Sequence, residues 1–428
     1  MMKINTIIKA LKKYEKITDY AIKEVKTTTC EQFYDLQKLE TKRITNTNEI
    51  NVKVYCAFEE KQKKYLGNAS FIISHKITSK ELNTLIEDAI YQASFVKNEY
   101  YELVSGFGKK SFTQKALAKA PYEVLEDVAK IFFNEKTDEC MFNSLECFYN
   151  ENEIHLINSK GVNYKKKIHN IQIEAIPSYK KQGDIRLNAT ELYRMFKYDE
   201  FDENKIKEDA HTAILDILNR SNAIKLKEKQ TINVILKDKH ILEMMDELIS
   251  SYDFASVYSH TNYKNVGDSI QNNPINALNI SISPVSKADF FDEDGVLLKE
   301  TKIIDNGVVA TYYGSNRYAY YLKQKPSGYM DTIKLECGST KYTQMKKKPY
   351  VEILDVSGIQ VDLFADYIGG EVRLANYFDG KCVYPITAFS FSGSLQKCID
   401  SLELSKEKSK INYYSGPKYV LLKDLEVL

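Results

Sequence analysis

Tryptophan is absent from these 428 residues and histidine occurs only six times, at 75, 155, 169, 211, 240 and 260. No two histidines have the one-turn spacing, with a glutamate beside the first, that a helical protease zinc site needs. The nearest approach is His240-Ile241-Leu242-Glu243 on an amphipathic stretch, where a single histidine reads as a surface residue. Cysteine is scarce and odd in number: seven, scattered at 30, 56, 140, 147, 337, 382 and 398 without a CxxC pair. That pattern excludes a disulfide framework and a zinc knuckle. Net charge is nearly absent too, with 60 Lys and Arg against 59 Asp and Glu, so no global field argues for nucleic acid or an anionic membrane. Runs such as KKYEK at 12–16 and KKK at 346–348 read as solvated faces.

No uninterrupted apolar run is long enough to span a bilayer. The N-terminal MMKINTIIKALKKYEKITDY breaks its apolar residues with lysines and reads as an amphipathic helix rather than a signal peptide. A cytoplasmic protein is the expectation. Catalytic signatures are missing as well. There is no GxSxG elbow, and VSGFGKK and FADYIGGEV lack the spacing of a dinucleotide or phosphate loop. The 31 tyrosines do not interleave with basic residues as an RNA-reading surface would, although some could line a peptide groove.

What is present is a mixed pattern of 43% hydrophobic and 28% charged residues, ordinary for a globular protein. NVKVYCAF and KYLGNASFIIS alternate as hairpin strands, and Thr78 precedes a helix with Leu82, Leu85, Ile86, Ala89 and Ile90 on one face. Lys109–Ala120 reads as a linker. Pro121 then opens a helix, and SLECFYNENEIHLINSKGVNYKKKIHNIQIEAIPSY reads as successive strands with NEN and NSKG as turns. The helix DENKIKEDAHTAILDILNRSNAI, capped by Asp202, closes this region. From Gln230 onward strands dominate, and two helices interrupt them, KHILEMMDELISSY and SLQKCIDSLEL. The fold class is α+β: N-terminal and middle hairpin-plus-helix domains, then a mostly antiparallel, barrel-like C-terminal domain.

The acidic stretch FFDEDGVLLKETKIIDNGVVATYY tests for a metal loop. With Gly295 as the central glycine of a calcium loop, the first and twelfth ligands would be Phe290 and Thr301, which cannot serve. DEDG therefore reads as a tight turn, and Asn306-Gly307 as a two-residue hairpin turn that needs positive φ.

Several of these stretches together resemble the TldD/PmbA family, metallopeptidases once called modulators of DNA gyrase. The resemblance rests on KYLGNASFII before the helix ending AIYQASFV, on HLINSKGVNYKKK, on FFDEDGVLLKETKIIDNGVVATYYGSNRYAYYL, and on ILDVSGIQVDLFADYIGGEVRLANYFDGKCVYPITAFSFSGSLQKCIDSLE. It covers nearly the whole chain and implies three units, at 1–108, 115–225 and 229–428. TldD-type members carry HExxxH on a helix early in the C-terminal domain, and a cysteine near the C-terminus completes their zinc site. Here Glu243, Met244 and Leu248 stand at about those places, and Tyr414 and Ser415 stand near the expected cysteine. Methionine and leucine cannot supply zinc with nitrogen or anionic ligands.

The resemblance is thus to PmbA/TldE-type members, partners of a zinc-bearing TldD-type subunit, with LDVSGIQVD lacking some usual glycines and the closing Gly-rich segment shortened. It implies a non-catalytic subunit of a peptidase complex, with no cofactor in this chain and zinc in the partner. The ligand expected is a peptide, without nucleic acid or membrane. A stand-alone, homodimeric peptide-binding scaffold is the alternative. Family position singles out Asp355, Gly358, Asp366, Gly369, Gly370 and Glu371 as peptide-groove or framework residues.

Overall fold

The computed structural model describes residues 3–180, 190–226 and 228–428. Helices make up 22% of the chain and strands 46%, so the architecture is set by its sheets. It opens with α1 (Ile4–Leu11), which buries Ile7, Ala10 and Leu11. Three antiparallel strands follow, β1 (Asp19–Asp35), β2 (Lys38–Glu60) and β3 (Lys63–Ile73), and then α2 (Ser79–Ala93). A capping box starts α2: Glu81 N donates to Thr78 Oγ1 at 3.2 Å, and Thr78 N donates to the Glu81 carboxylate at 2.6 Å. Gly67 on β3 is required by the close approach of that helix, because a Cβ there would lie 2.0 Å from the Ala93 carbonyl oxygen.

After β4 (Gly108–Thr113) and α3 (Pro121–Asn134) come β5 (Cys140–Asn158), β6 (Val162–Tyr179), β7 (Thr190–Glu191), β8 (Arg194–Tyr198) and α4 (Glu203–Ser221). Asp202 caps α4, accepting from Lys205 N at 3.1 Å. All eight strands form one sheet along the path β3-β2-β1-β5-β6-β4, with β7 and β8 also on β6. The sheet is a half-barrel. It runs across segments 1–108 and 115–225, because β1 pairs with β5 from Ala21 to Asp35.

Two local expectations are corrected here. The first five residues of the anticipated linker, 109–113, belong to β4, paired in parallel with Val162–Lys167. The polar triplet NEN does not turn. It lies inside β5, where Thr27 Oγ1 donates to Asn152 Oδ1 at 2.7 Å, because β1 and β6 flank it on both sides. NSKG is the turn, with Gly161 at φ +90°.

The C-terminal half contains β9 (Ile224–Lys225), β10 (Gln230–Lys237), α5 (Asp238–Ser250), α6 (Phe254–Tyr258), β11 (Ile280–Ser283), β12 (Thr301–Asp305) and β13 (Val308–Val309). It continues through α7 (Asn316–Tyr321), β14 (Thr332–Leu335), α8 (Tyr342–Met345), β15 (Tyr350–Asp362), β16 (Tyr367–Phe378), β17 (Val383–Thr387), β18 (Phe389–Ser394) and α9 (Leu395–Ser401). Four strands end it: β19 (Glu403–Leu404), β20 (Lys408–Ile411), β21 (Tyr414–Pro417) and β22 (Tyr419–Val427). The short helices α6, α7 and α8 add to the two expected ones, and the strand expected over VLLKETKII shrinks to β12.

Strands β15, β10, β22, β18 and β16 close into a five-stranded barrel, since β16 returns to β15. Inward residues such as Val234, Ile353, Ile368, Phe391 and Leu422 fill its core. Alternate outward residues of β15 and β16, Leu354 and Leu374, pack into the core under α3 and α4. A second sheet, ordered β13-β12-β11-β14-β21-β20, lies beside the barrel.

Candidate functional site

Period-two alternation gives this second sheet two unlike faces. Ile280, Ile282, Ile333 and Tyr414 are buried in the C-terminal core, on the side where α5 packs against β14, β20 and β21. Their neighbours in sequence, Ser281, Ser283, Thr332, Lys334 and Ser415, line a cleft of about 880 Å³. Register places Ser281, Lys334, Ser415 and Lys410 side by side on four successive strands. Lys408 and Lys410, two residues apart on β20, line the same cleft while Ser409 turns away to donate to Asp238 at 2.5 Å.

The cleft is positive. Lys287, Lys334, Lys406, Lys408 and Lys410 line it against two carboxylates, Glu300 and Glu336. Lys334 holds Glu300 at 2.5 Å, and Glu336 is held from outside the lining by Lys302 at 3.1 Å. Thr332 is buried on the cleft floor and its hydroxyl has no hydrogen-bond partner among the described residues. At the rim the exposed Cys337 is no activated nucleophile, because burial pushes its thiol up against the smaller downward pull of Lys408.

On the other side of the sheet, α5 carries the positions aligned with a zinc motif. Ile241, Met244, Met245, Leu248 and Ile249 form its buried stripe. Met244 and Leu248 thus sit in the apolar core, and the Glu243 carboxylate accepts Ile359 N at 3.1 Å. His240 departs from the expected surface placement. It is 1% exposed and neither ring nitrogen has a partner among the described residues. Burial, reinforced by Lys239, Lys237 and Arg194, holds it neutral and well below the usual histidine range. No group of three potential metal-binding side chains occurs among the described residues. Glu243, Met244 and Leu248 do not fit a zinc ion.

The six residues singled out in the sequence lie together on the β15–β16 ribbon and its flanks, and none lines the cleft. Asp355 is buried, paired with Arg194 at 3.1 Å, and Arg194 also grips Asp216 at 3.1 Å. Burial raises the Asp216 carboxyl, an effect opposed by that guanidinium. Gly358 falls where the β15–β16 register shifts. Asp366 adopts φ +53° and accepts Ser394 Oγ at 2.6 Å and Gln396 N at 2.7 Å, which fixes the start of α9. A Cβ on Gly369 would lie 2.8 Å from the Phe391 carbonyl oxygen of the neighbouring strand. Gly370 bridges Ile359 and Phe391 in the ladder, and exposed Glu371 offers its carbonyl to Ser357 Oγ at 3.2 Å.

The DEDG turn is a corner and a latch. Asp292 accepts Asp294 N at 3.0 Å, Val296 N at 2.8 Å and Tyr329 N at 3.2 Å. Burial, with Asp294 adding, pushes its carboxyl up to about 6. Glu293 pairs with Lys23 of β1 at 2.5 Å, Lys166 of β6 pairs with Asp289, and Phe290 and Phe291 pack on Tyr164. Asn306-Gly307 makes the hairpin turn between β12 and β13, at φ +49° and +75°. Sequence reasoning missed the cleft lysines, whose one local signal is the Lys-Ser-Lys alternation at 408–410.

Residues 229–428 match the family model described as the PmbA/TldA metallopeptidase C-terminal domain. A zinc metalloprotease TldD homolog of Saccharolobus solfataricus is 27% identical over 157 residues, an alignment spanning 35% of this chain and 34% of that relative. TldE from Thermococcus kodakarensis superposes with a TM-score of 0.79 at 12% identity, covering 99% of each chain. A Thermotoga maritima protein named as a candidate DNA gyrase modulator gives 0.77 at 13% identity, again over 99% of each chain. At these identities the structural likeness is one of fold.

Proposed function

Because the chain belongs to the TldD/PmbA metallopeptidase family, we propose that it is a non-catalytic, PmbA/TldE-like subunit of a cytoplasmic peptidase complex. In this reading a TldD-type partner holds zinc and cuts the peptide, and this chain helps to enclose and align it. The observation that carries the proposal is the fate of α5. Met244 and Leu248, where the family's ligands would stand, are core residues, while the opposite face of the adjoining sheet borders an open polar cleft. The edge strand β20 offers main-chain groups to an extended peptide by strand addition.

The test is elemental mass spectrometry and peptide turnover on the untagged chain, alone and mixed with an HExxxH-bearing relative from the same organism. Zinc far below one per chain, no turnover alone, and turnover with a stable complex on mixing are expected. Stoichiometric zinc that survives dialysis, or turnover by the chain alone, overturns the proposal. A homodimer that ignores the relative replaces it with the stand-alone scaffold.

A further inference from the structure

We infer that the cleft over the polar face of the second sheet selects extended peptides rich in carboxylates; this rests on the peptide-binding reading above and adds the charge of the ligand. Glu300 is engaged by Lys334, and Glu336 by Lys302. Lys287, Lys406, Lys408 and Lys410 face the cleft with no carboxylate partner among the described residues. Four like charges around one concavity repel each other, and an anionic ligand relieves that repulsion.

Lys408 and Lys410 project from one strand at the two-residue repeat, so their spacing matches alternate side chains of an extended peptide lying alongside. Between the lysines the floor is built of Ser281, Ser283 and Ser415, small enough for a backbone to approach and able to donate to carboxylate or carbonyl oxygen. Beside these serines the buried hydroxyl of Thr332 lacks a hydrogen-bond partner among the described residues.

The cleft's chemistry also favours a peptide over a nucleic acid. Among the described residues no aromatic side chain and no arginine lines it, so there bases have nothing to stack on and phosphates meet no guanidinium fork.

The experiment is fluorescence anisotropy on the purified chain at low salt. The probes are a labelled hexapeptide alternating Glu and Ser, its Gln/Ser and Lys/Ser counterparts, and a labelled oligo-dT, with inorganic phosphate as competitor. Expected is binding of the Glu peptide that weakens as salt rises, with the Gln and Lys versions at least about tenfold weaker. The variant K408E/K410E should lose roughly tenfold or more for the Glu peptide. K115E/K136E, which makes the same charge change on exposed lysines far from the cleft in sequence and outside its lining, should bind as the unmodified chain does.

Equal binding of all three peptides overturns charge selection while leaving peptide binding intact. Binding of none removes both readings. The present inference also falls if oligo-dT binds more tightly, if millimolar phosphate displaces the peptide, or if the two double variants weaken binding equally.

Discussion

In the C-terminal half five strands close on themselves, each paired with the next around the ring, around a core of Val, Ile, Leu and Phe. In the N-terminal half the sheet stays open, and β2 is paired with the edge strand β3 only from Ile50 to Glu60. Upstream of Ile50, β1 is the one strand beside β2 among the described residues, and here the sequence turns to KLETKRITNTNE, mostly exposed. The contrast shows how each half deals with unpaired backbone groups. Closure removes the edge and permits an apolar interior, whereas an open edge is kept from pairing with other chains by charge. The two halves meet through Leu354 and Leu374 and through the buried Asp216–Arg194–Asp355 cluster.

The junction should carry the largest single effect. Arg194→Ala removes the guanidinium shared by two buried carboxylates, leaving Asp355 with Lys239 at 4.0 Å, and urea unfolding should register a loss of about 3–5 kcal/mol. A loss below about 1 kcal/mol would mean that this buried cluster adds little to the apolar packing of Leu354 and Leu374. The latch at DEDG sharpens the comparison through pH. The Asp292 carboxyl is raised above its unfolded value, so its stabilising contribution is complete when protonated and is lost as pH climbs through about 6. Unfolding free energy should therefore be greater at pH 5 than at pH 7 by roughly 1 kcal/mol from this group. Asp292→Asn should flatten that slope; an unchanged slope assigns it to other groups. The smallest effect belongs to the open edge. Ile44, 58% exposed on β2, should tolerate alanine within about 0.5 kcal/mol, and a larger loss would show that the edge is covered in solution.

Much of this architecture is legible locally. Thr78 with Glu81, Pro121, Asp202 and Asn306-Gly307 are short-range signals, and each marks the boundary that it suggests. Legibility fails where a partner distant in sequence decides. Asn150-Glu151-Asn152 has turn composition, yet ladders on both sides hold it extended. Lys109–Thr113 has no apolar alternation because all six residues of β4 are exposed, and only its pairing with β6 makes it a strand. His240 has the composition of a surface helix residue but lies on the buried side of α5. The cleft is hardest of all. Its lysines come from segments around 287, 334 and 406–410, and in the linear chain each looks like a solvated charge.

The position of β22 in the ring has a kinetic consequence. Val234 on β10 pairs with Leu422 on β22, and Phe391 on β18 pairs with Val427, so Tyr419–Val427 is the stave that joins the two sides. During synthesis the ribosome releases β10 long before β22 exists. Until then β10 and β18 each present a bare edge, and the entropy of closing a very long loop has yet to be overcome. Barrel closure is therefore a late step of folding, after the half-barrel strands have emerged.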